Sequence, residues 1–195
     1  MTMDRTRWKR WVRWAATFVG FPLAGVAARA AAGNIDATGA AVVGGLAGGL
    51  VLGVVQAGVG GLRRGDRLAW IAASGVGLAT GLGLGAGAVG YRTDTPSLVA
   101  MGAICGAAVG VAQALSIRMR TIDRLLWAVT TPVLWASGWL ITSQVIVDAE
   151  RQHAVFGASG ALAVSVAAGV LHAVRERPGR PAVHLVGAVN TQVAA

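Results

Sequence analysis

Residues 41–62 read AVVGGLAGGLVLGVVQAGVGGL and contain no charged side chain. Within them Gly45, Gly49, Gly53 and Gln56 fall three or four positions apart, which sets them on one face of a helix. The series returns 57 residues later as Gly102, Gly106, Gly110 and Gln113. After 57 more the positions read Ser159, Ala163, Ala167 and Val170, so small residues persist and the glutamine does not. An uncharged run of this length crosses a hydrocarbon layer of about 30 Å at roughly 1.5 Å per residue. The stretch predicts a transmembrane helix, and its recurrence predicts an internal repeat.

Working outward, residues 68–91, 95–117, 125–147 and 154–174 are also free of charge, and residues 14–28 form a shorter run that reaches Ala32 if Arg29 snorkels to the surface. With 55% hydrophobic and 13% charged residues in 195, the composition is that of a polytopic membrane protein rather than a soluble domain. The odd-numbered spans share a second spacing: Trp14, Trp70 and Trp127 each precede a glycine, Gly25, Gly81 and Gly138, by 11 residues. The expected fold is therefore all-α, with six transmembrane helices built from three parallel two-helix repeats of about 57 residues, at 11–66, 67–123 and 124–177. They make one domain over residues 1–178, with 179–195 as a flexible cytoplasmic tail too short in its apolar part to span. The basic, tryptophan-rich start and the length of its apolar run favour a retained first helix over a signal peptide.

A net charge of +9 would suggest nucleic acid in a soluble protein, but here its placement reads as topology and excludes that partner. With the N-terminus inside, 14 of the 17 basic residues lie on the cytoplasmic side, leaving Arg29, Arg92 and Arg151 outside beside Asp36, Asp94, Asp148 and Glu150. Both termini are thus expected in the cytoplasm, with the basic face drawing anionic lipid headgroups. The small, glycine-rich six-span character suits a bacterial inner membrane. Cys105 is the sole cysteine, so no intramolecular disulfide forms.

The glycine series, joined by Gly77, Gly81 and Gly85 in the third span, reads as helix-packing surface, because stripped faces let backbones approach in lipid. Asp36 to Thr38 and Thr95-Pro96 read as starts of the second and fourth helices. Pro22 and Pro132 predict kinks, the latter beside Thr130 and Thr131. Gln56 and Gln113 need partners within the membrane, so they are candidate interhelical or ligand contacts, with Thr142, Ser143 and Gln144 as a second polar cluster near the outer end of the fifth span. Trp8, Trp11, Trp14, Trp70 and Trp127 suit an interfacial belt, whereas Trp135 and Trp139 are candidates for a lipid or partner contact.

No catalytic set emerges. His153, His172 and His184 have no metal-ligand spacing, the spans lack embedded acids, and the glycines come without a phosphate-loop lysine, so no metal or cofactor is expected and the balance is against an enzyme, with one acting on lipid substrates as a minor alternative. Mitochondrial carriers share three two-helix units and their parity, but their motif of proline followed by alternating charges is missing after Pro22 and Pro132, and no carrier residue or activity is carried over. The expected function is an accessory or packing subunit of a membrane assembly, in contact with lipids and a membrane-protein partner. The alternative is a small transporter or channel for a neutral, weakly polar or lipid-like substrate.

Overall fold

A computed structural model describes residues 5–145 and 155–175. Every regular element among the described residues is helical: α1 Arg5–Ala16, a 3-10 turn Thr17–Val19, α2 Gly20–Ala32, α3 Thr38–Val59, a 3-10 turn Arg64–Asp66, α4 Arg67–Ala88, α5 Thr95–Ser116, α6 Thr121–Ser143 and α7 Ala158–Arg175. Among the described residues, five segments are long and apolar enough to cross a membrane: Trp11–Ala32, Thr38–Val59, Arg64–Ala88, Thr95–Ser116 and Thr121–Ser143. Among the described residues, α7 is apolar over Ala158–Val170, a rise on the order of 20 Å. The tail and the outer residues Asp148, Glu150, Arg151 and His153 lie outside the described residues.

The two prolines act differently. Pro22 has no N–H to give the carbonyl of Phe18, and the chain tightens into the 3-10 turn Thr17–Val19 just upstream, so the first span is two helices joined by that turn. In contrast, α6 continues through Pro132, where Thr130 and Thr131 donate their hydroxyls to the carbonyls of Leu126 and Trp127 at 2.6 Å each.

The helices pack in chain order, α2 on α3, α3 on α4, α4 on α5, α5 on α6 and α6 on α7, and α7 then closes on α1 and α2. The result is a ring of helices. Glycine makes its seams close. A methyl group on Gly45 would stand 2.7 Å from the Leu78 carbonyl oxygen, one on Gly53 2.8 Å from the Ile71 Cα, and one on Gly49 would strike the Ser74 carbonyl, all on α4. On α4, a methyl group on Gly77 or Gly81 would stand 2.8 or 2.7 Å from the Val109 or Cys105 Cα of α5, and Gly85 lies against Met101. On α5, Gly102 lies against Trp135 and Trp139, Gly106 against Pro132 and Gly110 against Thr131. Each of these stripes faces the next helix in the chain.

Burial corrects the third repeat. Inward pairs on α5 are Met101/Gly102, Cys105/Gly106 and Val109/Gly110, and on α7 they are Gly160/Ala161, Val164/Ser165 and Ala168/Gly169, an offset of 59 residues rather than 57. Val170, the expected counterpart of Gln113, is 47% exposed. The longer connection between α6 and α7 advances the register by two residues, and two residues turn a helix through more than half a circle. The same offset carries the glutamine position to His172, whose side chain lies outside the described residues.

The helix starts also differ from expectation by a residue. Asp94, not Thr95, caps α5, its carboxylate accepting from the Ser97 backbone N–H at 3.0 Å and the Ser97 hydroxyl at 2.8 Å. The α3 N-cap is Ala37 with no side-chain bond, and Thr38 instead pairs with the Tyr91 hydroxyl at 3.0 Å. That contact ties the α2–α3 connection to the α4–α5 connection, where Gly90 and Tyr91 both take positive φ, 59° and 58°. For tyrosine this is an uncommon conformation, here held by a Tyr91 N–H bond to the Ala86 carbonyl at 2.9 Å.

Candidate functional site

Inside the ring, near the end that carries the α3–α4 and α5–α6 connections, three tryptophans from three different helices meet. The Trp14, Trp70 and Trp127 ring centroids stand 5.7 to 6.2 Å apart, and the residues are 7%, 1% and 5% exposed. This corrects their assignment to an interfacial belt. Among the described residues, Trp8 is the exposed indole, at 50%, stacked on Trp11.

The two glutamines bind this triangle together. Gln56 Oε1 accepts from Trp70 Nε1 at 3.0 Å and from Gln113 Nε2 at 3.0 Å. Gln113 Oε1 in turn accepts from Trp127 Nε1 at 3.1 Å, while its Nε2 also donates to Ser74 Oγ at 2.8 Å. Because an indole N–H only donates, these bonds fix which end of each amide is oxygen. The belt therefore runs Trp127 to Gln113 to Gln56, with Trp70 entering from the other side. Both tryptophan–glutamine pairs are 14 residues apart in sequence, a spacing visible in the chain but informative only once burial shows that both partners face inward.

One hydroxyl per odd span completes the layer. Ser74 Oγ donates to the Trp70 carbonyl at 2.8 Å, Thr131 Oγ1 to that of Trp127 at 2.6 Å and Thr17 Oγ1 to that of Trp14 at 2.6 Å. In the first span the hydroxyl is three residues after its tryptophan instead of four, since the 3-10 turn begins there.

Above the triangle is a second aromatic layer. Phe21, Trp135 and Phe156 lie with centroids 4.6 to 5.7 Å apart, and Trp139 meets Phe156 at 6.3 Å. Trp135 and Trp139 are 3% and 1% exposed, so neither presents a surface to lipid or to a partner: the glycines of α5 admit them to the interior, Gly102 lying directly beneath both.

Between the two aromatic layers is a cavity reached by Thr17, Gln56, Gln113, Thr131 and Ser165, with Trp14 and Trp127 on one side and Phe21 and Trp135 on the other. The space open to the centre of a water molecule is about 20 Å³. Among the described residues, no acidic or basic side chain lines it. Ser165 was not picked out by sequence, since the 57-residue register aligns it with Ala108, and only the shifted register sets it opposite the glutamines.

The other sequence candidates fall elsewhere. Thr142 is buried with its hydroxyl unpartnered, at the opposite end of α6, where Gly157 and Gly160 of the α7 start approach it. Ser143 donates to the Leu140 carbonyl at 2.8 Å, and Gln144 is exposed with its amide 3.3 Å from Ser143 Oγ. The structure thus brings Gln56 and Gln113 together and leaves the Thr142 cluster apart. Among the described residues no group of histidine, cysteine and acidic side chains could hold a metal ion. Cys105 is buried in the α4–α5 seam.

No protein-family model, no curated protein and no solved structure matches this chain.

Proposed function

We propose that this is an integral membrane protein of six spans, three parallel helix pairs closed into a ring, and that the ring axis is a site and route for a small neutral molecule. The function is then that of a small transporter or channel. The observation that carries it is the meeting of Gln56 and Gln113, 57 residues apart in sequence, beside a mainly apolar cavity into which five polar side chains converge, none of the described ones charged. Packing alone calls for glycine and alanine there. Polar groups converging on a cavity inside a membrane bundle mark a ligand or solute position.

The repeat reading is supported by the paired registers of α3 and α5 and by two tryptophan–glutamine bonds of identical spacing. The topology is supported by charge: Arg13, Arg63, Arg64, Arg67, Arg118, Arg120 and Arg124 fall at the same end of the alternating helices, which we assign to the cytoplasm of a bacterial inner membrane facing anionic lipid. Purified protein in vesicles tests the function. It should accelerate passage of small uncharged solutes over protein-free vesicles, and no acceleration across a panel of such solutes would defeat the proposal.

A second reading is the accessory subunit. It draws on the closed aromatic layers at both ends of the cavity and on an exterior of exposed Val26, Val54, Val76, Leu84, Val111 and Val133, which suits lipid or neighbouring helices alike. Crosslinking in native membranes separates the two, since an accessory subunit yields a defined membrane-protein partner and a self-sufficient channel does not.

A further inference from the structure

The hydrogen-bonding capacity left over around the cavity can be counted group by group. Gln113 is engaged at both ends of its amide. Gln56 is engaged only through Oε1, and its Nε2 has no acceptor among the described residues. Ser165 is 2% exposed and its hydroxyl has no partner among the described residues. Thr17 and Thr131 have committed their hydroxyl protons to the carbonyls of Trp14 and Trp127, so their oxygens turn lone pairs outward. All four residues line the cavity. It therefore offers two donating groups, Gln56 Nε2 and Ser165 Oγ, and two accepting ones, Thr17 Oγ1 and Thr131 Oγ1.

That complement matches a molecule that accepts and donates at once. Among the described residues, a bare cation would meet two donors and no carboxylate, and an anion would meet two lone-pair oxygens and no positive charge. Size narrows the class further. The space open to a water centre, about 20 Å³, exceeds the roughly 10–15 Å³ that one water requires but leaves no room for a carbon chain. A dry cavity would leave a buried hydroxyl and an amide without partners, a penalty that native interiors avoid.

We propose that this cavity binds one uncharged molecule of water's size, held by Gln56 Nε2 and Ser165 Oγ as donors and by Thr17 and Thr131 as acceptors. Water and ammonia share this chemistry. The site sharpens the reading of the ring axis as a solute route, on which it rests, by restricting the solute to the smallest neutral hydrogen-bonding molecules. The shift of α7 created it: at the 59-residue offset Ser165 replaces Gly106, so a hydroxyl faces the interior where the second unit has only a hydrogen atom.

The test is an experimental map of the full chain in lipid, at a resolution that shows ordered water. A discrete peak within hydrogen-bond distance of both Gln56 Nε2 and Ser165 Oγ is expected. The peak should vanish in Ser165→Ala and in Gln56→Met, and should persist in Thr131→Ser, which keeps its oxygen. An empty cavity, acyl-chain density within it, or full occupancy in Ser165→Ala would overturn the site. Stopped-flow shrinkage and ammonia-driven pH change in vesicles then distinguish the two sources, with the transported one slowed at least threefold by Ser165→Val. An occupied site without flux of either solute retains the binding site and overturns the transport reading, so the two failures are distinguishable.

Discussion

The seam between α5 and α6 and the seam between α7 and the first span close the same ring by different means. Along α5, Gly102, Gly106 and Gly110 admit the α6 backbone, and the Gln113–Trp127 hydrogen bond ties the basic end. Along α7, Gly169 lies against Trp11, and Ser165 stands in the interior with no partner among the described residues. The first arrangement is repeated from α3 and α4. The second follows from a two-residue change in register, and it is where polar capacity is left unfilled. Glycine stripes can therefore fix the seams between consecutive helices, while closure of the ring depends on the register of α7.

The largest effect that would break this contrast is in the glycines. A methyl group on Gly106 stands 2.8 Å from both the Pro132 Cα and the Thr131 carbonyl oxygen, and backbone cannot swing aside. Gly106→Ala should lower unfolding free energy in mild detergent by about 1–3 kcal/mol, the usual cost of overpacking. At Gly169 the nearest atoms, Trp11 Cδ1 and the Trp11 carbonyl oxygen, are 3.1 Å away. There a small adjustment of α1 suffices, and the helix propensity gained on replacing glycine, about 1 kcal/mol, offsets it. Equal losses at the two sites, measured by chemical unfolding, would show that the seams are alike.

Next in size is the amide belt. Gln113→Met removes three hydrogen bonds and strands the indole N–H of Trp127, so a loss of about 1–3 kcal/mol is expected, toward the lower end because the membrane-unfolded state also finds partners. Gln56→Met removes two bonds and with them an amide whose Nε2 was unpaired, so its loss should be about half as large. A Gln56→Met loss that equals or exceeds that of Gln113→Met would mean that Gln56 is fully satisfied, and with it that the cavity is not short of an acceptor.

Much of this was legible in the chain. Uncharged runs gave the helices, and the stripes Gly45/Gly49/Gly53 and Gly102/Gly106/Gly110 lie in the closest contacts of the fold. The tryptophans are ambiguous in sequence because an indole suits the membrane interface and a buried hydrogen bond equally, and the arginines one turn before Trp70 and Trp127 favour the interfacial reading. In lipid the usual cue inverts: exposed positions such as Val76 and Val133 are bulkier than the interior glycines and alanines, so hydropathy does not tell inside from outside. The α7 register was hidden for a related reason. Ser159, Ala163, Ala167 and their neighbours are all small, and a stripe two positions off looks the same.

The smallest effect contrasts two helix starts at the other end of the ring, α5 with its Asp94 cap and α3 with none at Ala37. The Ser97 backbone N–H, then the Ser97 hydroxyl, and with them the Arg92 charge, hold the Asp94 carboxyl below its ordinary range. A carboxyl whose folded pKa is depressed contributes stability that is present in full above its unfolded pKa and is lost as pH falls through the folded one. The cap should therefore persist through mildly acidic solution. Asp94→Ala should lower the unfolding midpoint at neutral pH, and the gap from the unmodified protein should close only below the usual carboxylate range. Asp94→Asn, which caps without titrating, should show a gap that does not shrink in that way. Asp36→Ala, which removes no side-chain cap, should leave the midpoint at neutral pH nearly unchanged, and a loss as large as that of Asp94→Ala would mean that α3 also starts on a side-chain bond.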